Sequence, residues 1–224
     1  MREILWIVPK WPFPAQDGAR VATAQLLENL ARRGHAIDLL AVAGRRETVS
    51  AEEARSKLGV RHVLVVRRED AGGSPLTMIP SLLASPLIPL TFRNYHAKPV
   101  RDALERILSG DLAPWLAGGT APSHRPDWYG VVYDGLHPAI HSSRHGIFAK
   151  PSFPPRVFYR AHNYETDLWE RKAARTVLLP LRWFFRFQAS RVRAFERSLL
   201  ELSSGTAPVS EDDWKCFLKL DPAA

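Results

Sequence analysis

The sequence contains a single cysteine, Cys216, so no disulfide can form within the chain. That fits a reducing cytoplasm. Long apolar runs are also missing. The longest, Leu76 to Leu90, is interrupted by Pro80, Pro86 and Pro89 and falls short of the roughly 20 apolar residues that a membrane-spanning helix needs. The opening stretch from Met1 to Pro9 holds only Arg2 and Glu3 before a short apolar run, and no cleavage site follows, so it suits a buried strand and not a secretion signal. Zinc-type ligand spacing, the aromatic signature of RNA-binding sheets and a convincing helix-turn-helix are absent, which argues against nucleic acid as the partner. Acidic residues are in deficit. Asp and Glu number 23 against 31 Lys and Arg, and the net charge of +8 favours anionic partners such as phosphate groups or acidic lipid.

What is present is a regular alternation. Hydrophobic residues make up 46% of the 224, enough for a substantial core in one large α/β domain spanning 1–224. Glu3 to Pro9 is near-continuously apolar, as for a strand covered on both faces. Ala19 to Arg33 carries an apolar stripe at helical spacing and ends at Gly34, and Ala36 to Ala43 is a second strand. Thr48 to Leu58 forms a short helix and Arg61 to Val66 a third strand. Strands resume at Trp128 to Tyr133, Arg156 to Arg160 and Gly205 to Val209.

Helices are expected at Leu76 to Leu90, Lys98 to Leu108, Pro138 to Arg144, from Asn163 to about Val177, and from Pro180 to Leu202. Gly110 to Arg125 is expected as a loop. Ser210 and Asp213 suggest a capping box for a helix beginning at Glu211. The order predicts a Rossmann-like, doubly wound parallel sheet in the order 3-2-1-4-5-6, with Leu181 to Leu202 packed across it.

In such sheets ligands bind beyond the carboxyl ends of the strands. Three polar clusters fall there. Asp17 and Gly18 follow the first strand. Asp134, Gly135, Leu136 and His137 follow the fourth. His162, Asn163, Tyr164 and Glu165 follow the fifth. Gly18 either lets a ligand approach the backbone at a helix N-terminus or serves a tight turn. The dinucleotide fingerprint G-x-G-x-x-G is absent from this turn, which removes the main support for a dehydrogenase. His137 and His162 are candidates for proton transfer, or are structural. Asn163 and Glu165 bind substrate, or cap and charge the following helix. Asp134 binds substrate, or caps the short helix after it. His35 belongs to the Gly34 turn, and the remaining histidines lack metal-ligand spacing.

The opening ILWIVPKWPFPAQDGARVATAQLLENLARRGHAIDLLAV resembles the start of family 4 glycosyltransferases of GT-B fold. VFYRAHNYETDLWERKA resembles the R-x-H-N-x-E segment of an exopolysaccharide-forming subgroup, and PVSEDD the S-E-x-D turn ahead of the linker to the second domain. Asp17 stands where Gly-Gly is more usual. The resemblance implies the N-terminal, acceptor-side half of a retaining, metal-independent sugar transferase without a bound cofactor. Its donor would be a UDP- or GDP-linked sugar, and its acceptor a glycan or a lipid-linked molecule. By position, the Gly18 turn would face donor phosphates and acceptor, His137, His162 and Asn163 would line the cleft, and Glu165 would orient them or hold an acceptor hydroxyl.

The donor-binding domain, with its paired glutamates, is expected beyond Ala224, so residues 1–224 alone are expected to be inactive. The competing expectations are a non-catalytic GT-B-like module that binds glycan or lipid, and half of a sugar-nucleotide epimerase. The expected location is cytoplasmic, with attachment at the inner face of the membrane. Arg182, Arg186, Arg191, Arg193 and Arg197 crowd a helix that also carries Trp183, Phe184, Phe185 and Phe187, a combination suited to anionic lipid. The alternative is that the aromatics are core and the arginines a solvated face.

Overall fold

The computed structural model describes residues 1–44, 47–67, 89, 92, 98–117, 122–123, 126–142 and 156–221. The helix expected at Leu76 to Leu90 falls almost wholly outside these residues, as does part of the loop expected at Gly110 to Arg125.

Six parallel strands form the sheet. They are β1 (Glu3–Val8), β2 (Ala36–Ala43), β3 (His62–Arg67), β4 (Gly130–Asp134), β5 (Val157–Ala161) and β6 (Gly205–Pro208), in the order β3-β2-β1-β4-β5-β6. This is the expected doubly wound order, with β1 between β2 and β4. The order reverses between β1 and β4, where a crevice opens at the carboxyl edge. The buried runs explain the parallel pairing: all eight residues of β2 and all five of β4 are buried, which only a sheet covered on both faces allows.

On one face, α1 (Gly18–Arg32) and α2 (Ala51–Leu58) pack Leu27, Ala54 and Leu58 onto Trp6, Val8, Leu39 and Val63. Asp17 caps α1 and Ser50 caps α2, each side chain accepting from a backbone N–H three residues on. Gly34 and Gly59 end these helices at positive φ, where a Cβ would be strained.

The other face is covered by α3 (Lys98–Leu108), α4 (Ala113–Ala117), a 3₁₀ helix (His137–Ser142), α6 (Leu179–Leu202) and α7 (Glu211–Leu220). Helix α4 lies within the stretch expected to be a loop. Asp111 accepts from the Ala113 N–H at 2.8 Å and Trp115 is fully buried, so a cap and one anchoring indole make a single turn where periodicity is too short to register. Helix α5 (Glu165–Arg175) leans on α6.

The expectation for the long helix holds for its second half only. From Gln188 onward α6 buries Val192, Phe195, Leu199 and Leu200 against the core. Before Gln188 it does not pack across the sheet, and Leu181 is exposed, as is Leu202 at the far end. At 24 residues α6 is about 36 Å long at 1.5 Å per residue, longer than the strands it crosses.

Candidate functional site

The segments following β1, β4 and β5 close around a cavity of about 300 Å³ at the carboxyl edge of the sheet. Gly135, His137, His162, Asn163 and Glu165 lie on its wall, so five residues from two of the expected clusters come together. Helix α1 adds Ala19, Arg20 and Thr23, and the loop after β1 adds Lys10.

Asp134 is not on the wall. Its side chain is fully buried beneath it, which corrects the expectation of a substrate-binding aspartate and also of a helix cap. Four donors saturate it. Trp6 Nε1 donates to Oδ2 at 3.2 Å and Thr23 Oγ1 at 2.7 Å. Arg160 Nη1 donates to Oδ1, and His162 Nε2 lies 2.5 Å from the same oxygen. Arg160 also donates to Thr23 Oγ1 at 3.0 Å. Burial pushes the Asp134 carboxyl up. The His162 hydrogen bond, the Arg160 charge and the Thr23 hydroxyl outweigh it and hold the carboxyl below its ordinary range.

The geometry selects the histidine tautomer. His162 Nε2 is also 3.1 Å from Arg160 Nη1, but a guanidinium only donates, whereas the carboxylate accepts. The shorter contact therefore puts the proton on Nε2 and the lone pair on Nδ1, which makes no hydrogen bond within the described residues. A buried carboxylate holding one ring nitrogen so that the other can accept a proton is the arrangement of a general base. Gly135 turns the chain beside it. Its φ is +95°, and its Cα faces the His162 ring edge, which a Cβ there would meet at 3.6 Å.

Asp17 caps α1 through the Arg20 N–H at 2.9 Å, and this hydrogen bond lowers its carboxyl from the ordinary range. Asp17 and Gly18 sit just outside the wall. Gly18 has no positive φ, and a Cβ on it would meet nothing within 4 Å, so neither turn geometry nor packing calls for glycine there. Of the two readings of Gly18, the tight turn is removed.

Asn163 does not cap α5. Tyr164 holds the cap position without a side-chain bond, and the free N–H groups of α5 are taken by carboxylates from two other helices. Glu196 on α6 accepts from the Glu165 and Thr166 amides at 2.9 and 3.0 Å and from Thr166 Oγ1 at 2.6 Å. Asp213 on α7 accepts from the Tyr164 amide at 2.8 Å while Ser210 bonds it in turn. These carboxylates lie at the positive end of the helix dipole and fix the turn that carries Glu165. Burial raises the Glu165 carboxyl, against the lowering influence of the Asn163 hydrogen bond.

Sequence reasoning missed Thr23, Arg160 and Glu196. Arg160 lay within the R-x-H-N-x-E match. Glu196 had a signal too, as an acid on the apolar face of α6 between Val192 and Leu199. Thr23 had none.

Burial raises the Glu196 carboxyl to about 7 despite its three donors. A pKa raised in the folded state means that the native protein holds this proton more tightly than the unfolded chain. The associated stability is complete below the unfolded value of 4.5 and is lost as pH rises through about 7. The loss is on the order of 3 kcal/mol. Thermal unfolding at pH 5 to 8 should show the wild-type midpoint falling relative to that of Glu196→Gln. Parallel profiles for the two proteins would show that Glu196 does not titrate in this window.

A second buried polar network lies at the opposite edge of the sheet. Asp38 accepts from Trp128 Nε1 at 2.7 Å and from Arg61, which also pairs with Glu3. It ties the amino ends of β1, β2 and β3 together. Among the described residues no group of three or more His, Cys, Asp or Glu is placed to hold a metal, and no helix is long and apolar enough to cross a membrane. No family model and no curated protein matches the chain.

Proposed function

We propose that this chain is the acceptor-side domain of a retaining GT-B-type glycosyltransferase that uses a UDP- or GDP-linked sugar. The observation that carries the reading is the cavity at the switch point of the sheet, with His162 in its wall and Asp134 bonded to that ring from beneath. The resemblance of the RAHNYE and VSEDD segments to that family adds to it.

In the proposed reaction an acceptor hydroxyl lies in the cavity near His162. Its oxygen forms a bond to the anomeric carbon as the bond to the nucleoside diphosphate breaks, and the diphosphate leaves with the electron pair. The hydroxyl proton passes to His162 Nδ1, while Nε2–H stays on Asp134. In front-face attack a leaving phosphate oxygen is the other acceptor of that proton. Glu165, whose carboxyl burial raises, hydrogen-bonds the acceptor, and Lys10 adds positive charge to the rim towards the diphosphate, while Arg20 beside it is paired with Glu47. Such an active site needs a second α/β domain to bind the nucleotide.

The test is sugar transfer by a protein carrying this chain together with a donor-binding domain, screened with UDP- and GDP-sugars and with glycan and polyprenyl-linked acceptors. Residues 1–224 alone should transfer nothing and bind no UDP-sugar tightly. Acceptor binding without transfer in the two-domain protein would instead indicate a glycan- or lipid-binding module. Gly18→Ala adds a finer check. It should stabilise the fold by about 0.4–1 kcal/mol, because alanine restricts the unfolded chain and meets no obstacle here. If a ligand does approach this backbone, the same variant raises KM, and an unchanged KM removes Gly18 from the site.

A further inference from the structure

Helices α5 and α6 form a hairpin that starts at the cavity wall, at Glu165, and ends at a tip outside the core. The tip is apolar and uncovered. Val177 is 84% exposed, Leu178 68% and Leu179 62%, and on the first turns of α6 Trp183 is 66% and Phe187 52% exposed. Leu179, Trp183 and Phe187 recur every four residues and so share one helix face. Exposed large apolar side chains gathered in one place, unlike scattered ones, mark an interaction surface.

The charge around the tip indicates what meets it. From Arg171 to Phe195 the sequence contains no aspartate or glutamate, while Lys172, Arg175, Arg182 and Arg186 stand in or beside the tip. Arg186 lies on the same face of α6 as Trp183, its guanidinium 6.0 Å from the ring centre. Arg182 donates to the Thr176 carbonyl at 2.8 Å and braces the turn.

Of the arginines that composition alone suggested for lipid binding, Arg191 is buried with its guanidinium 5.3 Å from the Phe187 ring centre, and two more are otherwise engaged. Arg193 pairs with Glu170 and Arg197 with Glu201, both further along the hairpin from the tip. Phe184 and Phe185 are half-buried, Phe185 against Trp169 and Lys172. The surface that remains is therefore compact: Val177 to Leu179, Trp183 and Phe187 with Arg175, Arg182 and Arg186.

We infer that the tip of this hairpin docks on an anionic lipid surface. Indole and aliphatic side chains enter the interface and the arginines meet the headgroups. An acid-free basic segment is complementary to such a surface, and each arginine near it adds about 1 kcal/mol, or roughly fivefold in binding. The eleven-residue α5 spans about 16 Å, so docking would hold the cavity above the headgroups at a distance set by the hairpin. This inference is independent of the transferase reading, since it uses no cavity residue.

The test is co-sedimentation of the 224-residue chain with vesicles of phosphatidylcholine alone and of phosphatidylcholine with phosphatidylglycerol, at low and high salt. The expected result is binding to the acidic vesicles at low salt and release at high salt. Arg175→Glu/Arg186→Glu should weaken that binding by at least about tenfold. Leu178→Ser/Trp183→Ser should do so as well, with unchanged far-ultraviolet dichroism, because these side chains are exposed. Should a variant fold poorly, the salt dependence of the wild type still decides. The inference is overturned if the wild type stays in the supernatant at low salt, binds neutral vesicles equally well, or is matched by the folded variants. In those cases the tip is a protein contact.

Discussion

Asp134→Asn is expected to destabilise the chain by about 3–5 kcal/mol, the usual cost of stripping one partner from a buried ion pair. Asparagine has nearly the same shape, so the loss is not one of packing. The amide keeps one accepting oxygen where the carboxylate has two, and four donors converge here. Arg160, only 7% exposed, would keep its charge with no counter-charge, because its other polar neighbours are the Thr23 hydroxyl and the His162 ring. Urea unfolding measures the difference directly.

A second substitution identifies the cause. Adding Arg160→Met to Asp134→Asn removes the stranded charge and should recover much of the loss, whereas independent effects would add. The native depression of the Asp134 pKa also has a definite sign. A carboxyl held below its unfolded value contributes stability that is present above that value and lost as acid protonates it in the folded protein. The wild type should therefore lose stability on acidification more steeply than Asp134→Asn. A single variant that costs less than about 1 kcal/mol would mean that water reaches Arg160 and that the network is not dry.

The second large effect is catalytic and rests on the proposed transfer reaction. In a two-domain protein His162→Ala should lower turnover by about 10²- to 10⁴-fold, the range for loss of a general base. Its effect on folding should stay within about 1 kcal/mol, because Asp134 keeps three of its four donors and the ring stands at the cavity edge. The pH profile of kcat/KM separates the two possible proton acceptors. If His162 takes the proton, the wild type shows a fall towards acid that His162→Ala lacks. If the leaving phosphate takes it, the profiles run parallel and the loss reflects positioning of the acceptor. A variant with normal turnover and reduced stability would make His162 structural and end its assignment as a catalytic residue.

Local pattern was enough for the sheet. The buried runs at Glu3–Val8 and Ala36–Ala43, the intervening stripe and the glycine stop at Gly34 state a parallel unit before any contact is known. Crossover handedness then ties the direction in which each strand is added to the face that its helix covers, and the doubly wound order places β1 at the centre. It also follows that the loops after β1, β4 and β5 meet at one edge, which is why His137, His162, Asn163 and Glu165 were legible as neighbours.

What each of those residues does was decided elsewhere in the chain. An aspartate at the end of a strand reads the same whether it faces ligand or core. Asp134 lies beneath the wall because Trp6, Thr23 and Arg160, between 26 and 128 residues away, supply the donors that make its burial tolerable. Glu196 and Asp213 follow the same rule, since a helix N-terminus accepts any carboxylate that packing brings to it, and these come from two later helices. Helical period marked one face of α6 as apolar but not where the sheet ends beneath it. Only the packed structure shows that Gln188 onward is covered and that Leu179 to Phe187 stands clear, because burial depends on the length of the strands below and not on the helix itself.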